Sequence, residues 1–182
     1  MGTSGPSNVK VIACGYSLGG ICAMTFSDRH PARAAGIVVQ ASAMRYGANV
    51  RDRAFLLSLH AVHRLGLEAA TRSLPLRYFR ASGSRNAAEW ARWDWIDEQM
   101  SSNCVHSAST VWAAVRRTDN RHRRVSSPCV VTVLQRDRVC PPALQRDVAS
   151  ILDAHTIEVD ADHDLPLTDP AAYARATSDA VA

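Results

Sequence analysis

The sequence predicts an α/β fold: a parallel sheet of about four strands, flanked by helices and interrupted by a helical insertion. Three features of the chain support this. Short apolar runs at Val9–Cys14, Gly36–Ala41, Cys129–Leu134 and Thr156–Val159 alternate with segments of helical character. The run Gly36-Ile37-Val38-Val39-Gln40-Ala41 is continuously apolar rather than alternating, as in a parallel strand covered on both faces. Between the second and third runs, about 80 residues carry only a helical pattern.

The first strand, Val9-Lys10-Val11-Ile12-Ala13-Cys14, runs into Gly15-Tyr16-Ser17-Leu18-Gly19, a G-x-S-x-G turn. A helix from about Leu18 to Arg29 follows, and His30-Pro31 ends it. After the second strand, Phe55, Leu59 and Val62 repeat at helical spacing, and Asn86 and Glu89 read as a cap and its partner. Trp90, Trp93, Ile96 and Met100 form one stripe, read as packing, and Val111, Trp112 and Val115 suggest another helix. Pro75 and Ala81-Ser82-Gly83-Ser84 divide this segment. Beyond the third strand, Pro141 and Pro142 open a helix with Leu144, Val148 and Ile151 on one face. Asp169-Pro170, an N-cap and a first-turn proline, starts a terminal helix through Tyr173. The predicted organisation is a core of residues 1–44 and 126–182 with an insertion at 45–125.

Length and composition fit a soluble globular domain: 182 residues, 47% hydrophobic and 21% charged. No window approaches the roughly 18 consecutive apolar residues of a membrane span. The first eight residues have neither a basic start nor an apolar signal core, so the expected location is the cytoplasm. The five cysteines match neither a zinc site nor a redox pair, and Cys14 and Cys129, within apolar runs, are expected to be buried thiols. His60 and His63 lie three apart without a third ligand nearby, so no metal is expected. Residues 45–125 hold 14 arginines against 7 acidic residues, while the remainder carries 7 basic and 10 acidic ones. The arginines are dispersed among apolar positions, apart from Arg121-His122-Arg123-Arg124, and read as a solvated surface rather than a nucleic-acid site.

The chemistry-bearing residues stand at strand ends. Ser17 occupies the strained tip of a strand–turn–helix, where Gly15 and Gly19 are expected to supply small neighbours and Gly20 close packing. The N–H of Leu18, at the positive end of the helix, suits a developing oxyanion. Tyr16 is positioned to line the floor of a substrate pocket. A serine needs a base, and a histidine base needs a carboxylate to hold its tautomer. Asp137 lies just past the third strand and His163 just past the fourth, and loops at the carboxyl ends of parallel strands share one edge of the sheet.

On these residues the chain resembles the α/β-hydrolase superfamily, in particular its esterase and lipase-like members. The matching stretches are Gly-Tyr-Ser-Leu-Gly-Gly at 15–20, Arg-Asp-Arg-Val-Cys-Pro-Pro at 136–142, Asp-His-Asp-Leu-Pro at 162–166, and Asp169-Pro170. The resemblance implies Ser17 as nucleophile, Asp137 as acid, His163 as base, and a helical cap at 45–125. Two departures stand out. Asp162 replaces the usual glycine before the histidine, offering it a rival carboxylate. About four strands precede the elbow in the family, and here only a few residues do. The chain therefore resembles the C-terminal two-thirds of such a hydrolase, retaining one oxyanion donor at Leu18 and exposing an apolar edge strand prone to self-association.

The implied function is a serine hydrolase acting on a small-molecule carboxylic ester or related acyl compound, with no cofactor. Acyl transfer, C–C bond hydrolysis and perhydrolysis run on the same triad. The alternative of another class is a non-catalytic remnant that associates through its edge strand.

Overall fold

The computed structural model describes residues 9–46 and 117–182, together with isolated positions between them. The strands are β1 (Val11–Tyr16), β2 (Ala34–Gln40), β3 (Cys129–Leu134) and β4 (His155–Val159). The helices are α1 (Leu18–Arg29), α2 (Pro142–Ile151), α3 (Leu165–Thr168) and α4 (Pro170–Val181). The sheet has the order β1-β2-β3-β4, and all three pairings are parallel. This is the α/β architecture that the alternation of apolar runs and helical segments predicts.

Register brings the functional ends together. Tyr16 pairs with Gln40, Gln40 with Thr132, and Thr132 with Ile157, so one row crosses the whole sheet near its carboxyl edge. The chain leaves β1 at Ser17 on this row, while β3 and β4 run two residues further, to Leu134 and Val159. The central strands carry the core. Ile37, Val38 and Val39 of β2 and Val131, Val133 and Leu134 of β3 are buried, with Met24 of α1 and Val148 of α2 packed into the same interior. Burial on both faces explains why these runs are apolar at every position.

The turn after β1 is the tightest feature. Ser17 has φ 52° and ψ −116°, a left-handed conformation that costs a non-glycine residue about 1–3 kcal/mol. Its N–H donates to the Gln40 carbonyl at 2.8 Å, and its carbonyl accepts from the Gly20 N–H at 3.0 Å. A Cβ on Gly15 would stand 2.0 Å from the Gly19 carbonyl oxygen, and one on Gly20 would stand 2.6 Å from the Ser42 side chain. Gly19 differs from expectation: a Cβ there meets nothing within 4 Å among the described residues. The close approach is made by the backbone of Gly19 against Gly15, so of this pair only Gly15 has to lack a side chain.

Further differences concern positions near the edge. Cys14 is exposed rather than buried, because β1 is an outer strand of the described sheet and alternate residues, Ile12 and Cys14, face away from the core. Cys129 is half-buried, and burial pushes its thiol up to about 12. On α2 the buried stripe is Gln145, Val148 and Ala149, while Leu144 and Ile151 remain exposed. The four-residue helix α3 has no counterpart in the sequence reading, being too short to show a period.

The chain divides into two compact units, one of residues 1–44, 119–166 and 170–182, the other of 45–118 and 167–169. Residues 119–125, read from sequence as part of the insertion, group with the sheet from 119 onward. Asn120 is buried and bonds the Met44 carbonyl through both its backbone N–H (2.9 Å) and its Nδ2 (3.1 Å). Arg123 pairs with Asp28 at 3.0 Å and Arg121 with Asp119, which ties two of the clustered arginines to carboxylates. The described positions of the second unit before residue 118 are helical, except Arg45, Tyr46 and Leu65. Phe55, Leu59, Val62, His60, His63, Cys104 and the four tryptophans lie outside the described residues.

Gly15→Ala is expected to abolish cooperative folding or lower the melting temperature severely, since the backbone itself must move and overpacking costs about 1–3 kcal/mol or more. Gly19→Ala, within the same G-x-S-x-G signature, is expected to be neutral or to stabilise by up to about 1 kcal/mol. Thermal melts of the two variants check this.

Candidate active site

The sheet edge brings together three of the residues read from sequence. His163 Nε2 lies 3.1 Å from Ser17 Oγ, and His163 Nδ1 lies 2.8 Å from Asp137 Oδ2. These residues are 146 and 26 positions apart in the chain, so the contacts come from the fold alone. The Asp137 carboxylate is fully enclosed, while the His163 side chain is 19% exposed. An ionised carboxylate only accepts, so Nδ1 carries the ring proton and Nε2 turns its lone pair towards the serine hydroxyl.

The Asp137 carboxylate is held on both oxygens. Its Oδ1 accepts the N–H groups of Val139 (2.8 Å) and Cys140 (2.7 Å) from its own turn. Its Oδ2 accepts Gln145 Nε2 at 3.0 Å as well as the histidine. Leu18 begins α1 directly after Ser17, and the first N–H groups of a helix have no partner within it.

Tyr16 engages the histidine loop. Its hydroxyl donates to the His163 carbonyl at 2.8 Å, and its ring lies 5.5 Å from the imidazole and edge-on, also at 5.5 Å, to Tyr173. Burial pushes the phenol well above its ordinary range, and the charge of Asp137 adds to this. Tyr16 therefore fastens the backbone of the histidine loop to β1.

Asp162 does not compete for the imidazole. Its Oδ1 accepts the backbone N–H groups of His163 (2.7 Å) and Arg138 (3.0 Å), and its Oδ2 faces the Arg138 guanidinium. Burial pushes its carboxyl up, but the N–H groups of Arg138 and His163 and the Arg138 charge outweigh that and hold it below the usual carboxylate range. The residue that departs from the family pattern thus ties the acid turn to the histidine loop. Sequence reasoning missed this role, as it missed Gln145. The only sign of the latter was a polar residue three positions before Val148 and four before Ala149, on the buried stripe of α2.

A strained serine at a strand–helix turn, with aspartate and histidine presented from beyond the ends of β3 and β4 at the same edge, defines an α/β-hydrolase type of architecture. The alpha/beta hydrolase family profile matches residues 3–176, and the chain belongs to that family. No curated protein matches it in sequence. Among solved structures it is similar to a hydrolase from Pseudomonas aeruginosa PA01, with TM-score 0.73 and 18% identity, covering 96% of this chain and 65% of that one. It is also similar to the enol-lactonase from Burkholderia xenovorans LB400, with TM-score 0.64, 20% identity and coverage of 96% and 66%. A thermophilic esterase from Thermogutta terrifontis gives TM-score 0.69, 18% identity and coverage of 94% and 64%. The chain thus spans somewhat less than two-thirds of the length of these structures. No helix among the described residues is long and apolar enough to cross a membrane.

Because the carboxyl of Asp162 sits below its unfolded value, its contribution to stability is present above about pH 4 and is lost as pH falls through the lower folded value. Asp162→Asn keeps an acceptor for the two N–H groups but replaces the charged acceptor facing Arg138 with an uncharged donor. It is expected to lower the melting temperature by up to about 4 °C at pH 7. That gap should close as pH falls below about 4, as parallel melts of the two proteins across pH would show.

Proposed function

We propose that this chain is a serine hydrolase acting on a carboxylic ester or a related acyl compound. The observation that carries the reading is the hydrogen-bonded line from Ser17 Oγ through His163 to the enclosed Asp137 carboxylate. Ser17 Oγ attacks the acyl carbon while His163 Nε2 takes its proton. The developing oxyanion turns towards the N–H of Leu18 and the positive end of α1. The imidazolium, steadied by Asp137, passes the proton to the leaving oxygen, and the acyl group stays on Ser17. Water then gives a proton to His163 and attacks the acyl-enzyme, and the carboxylic acid leaves as Ser17 is reprotonated. The names of two similar structures, an enol-lactonase and an esterase, support an acyl–oxygen bond as the target. On this reading residues 45–118, the part of the insertion that does not group with the sheet, form the helical cap of the enzyme, which works in the cytoplasm.

Leu18 supplies one oxyanion donor. A covalent probe is the first test, because it reads the nucleophile without requiring a known substrate. A fluorophosphonate is expected to modify Ser17, located by mass spectrometry. Ser17→Ala should abolish labelling, and His163→Ala should slow it by about 10³-fold or more with an unchanged circular dichroism spectrum. A folded protein that takes no label would overturn the reading.

A further inference from the structure

Gln145 is a polar residue on the buried face of α2, with none of its surface exposed. Its carboxamide makes three hydrogen bonds. Nε2 donates to Asp137 Oδ2 (3.0 Å) and to the Cys140 carbonyl (2.6 Å), and Oε1 accepts the Leu134 N–H (2.9 Å). These partners admit one amide orientation. Reversed, the oxygen would face a carboxylate and a carbonyl, and the NH₂ would face an N–H. The last residue of β3 and the turn that follows it therefore force a Gln145 N–H to point at Asp137.

That N–H differs from the other donors on the carboxylate. Val139 and Cys140 belong to the turn of Asp137 itself and hold Oδ1. His163 is the group to be oriented. Gln145 comes from a helix and holds Oδ2, the oxygen that also receives the imidazole. With both oxygens fixed, the carboxylate plane cannot turn about the Cβ–Cγ bond, and the direction of the His163 ring follows from it. We propose that Gln145 is a positioning residue for the Ser17–His163 pair, acting through Asp137 and touching no substrate. The inference rests on the hydrolase reading above.

The test is a cycle of four full-length proteins: wild type, Gln145→Met, Asp137→Ala and the double variant. In each, the rate of fluorophosphonate labelling at Ser17 is measured and normalised to folded protein. Gln145→Met is expected to slow labelling by roughly ten- to a hundredfold. In the Asp137→Ala background the same change should alter the rate by less than about twofold, because the group it acts through is gone. An equal loss in both backgrounds would mean a structural role only, and a wild-type rate in Gln145→Met would mean no role; either overturns the proposal. Should the methionine variant not fold, Gln145→Leu is a second apolar replacement that likewise removes the donor facing Asp137. The downfield proton resonance of His163 Nδ1–H reads the geometry without any reaction. It should shift or vanish in the Gln145 variants, and an unchanged resonance would overturn the positioning role. Absence of labelling in wild type would instead defeat the hydrolase reading, leaving the resonance to decide the geometry.

Discussion

The strained backbone of Ser17 is the constraint around which the rest of this structure is arranged. A residue with φ 52° and ψ −116° is not stable in isolation, and about 1–3 kcal/mol must be recovered from its surroundings. The recovery is visible in the Gln40 carbonyl that takes its N–H, the Gly20 N–H that meets its carbonyl, and the absence of a side chain at Gly15. Each of these depends on β1 being paired in register with β2 and on α1 starting immediately after the turn. The strain has a consequence for the hydroxyl, which is carried to the sheet edge at the amino end of a helix, 3.1 Å from His163 Nε2.

His163 arrives at the sheet edge by a route with several ties. The histidine loop is fixed to β1 by the Tyr16 hydroxyl on the His163 carbonyl, and to the acid turn by Asp162 and Arg138. The acid turn is fixed to α2 by Gln145. Side-chain bonds to backbone groups, rather than ion pairs between exposed ends, make most of these ties. The longest-range of them, between Tyr16 and His163 and between Arg138 and Asp162, join residues 147 and 24 positions apart. The His163–Asp137 contact supported this way is held by the fold on both sides.

Much of this was legible beforehand. The apolar run Cys129–Leu134 and the Leu18–Arg29 helix coincide with the observed β3 and α1, because continuous apolarity and a His-Pro stop are local signals. Other features depended on neighbours that no local pattern records. Cys14 sits in an apolar run yet is exposed, since only the strand order decides which strand lies outermost. Gly19 completes a recognisable signature, but the steric demand falls on Gly15, which its carbonyl approaches. Asp162 looked like a rival for the imidazole because its distance along the chain is one residue, whereas its carboxylate turns to backbone N–H groups and to Arg138.

The sequence by itself determined the class of fold, the order of its strands and helices, and three reactive residue types at three strand ends. Those follow from residue-level preferences: apolar runs bury, prolines stop helices, and glycine admits a tight turn. Only the tertiary structure decided that Ser17, His163 and Asp137 come within hydrogen-bonding distance, that Tyr16 serves the histidine backbone, and that a glutamine on the buried stripe of α2 holds the acid. Hydrogen bonds between residues 26 to 147 positions apart are set by register and crossover. The physical chemistry of any one segment contains no information about its partner across the sheet edge.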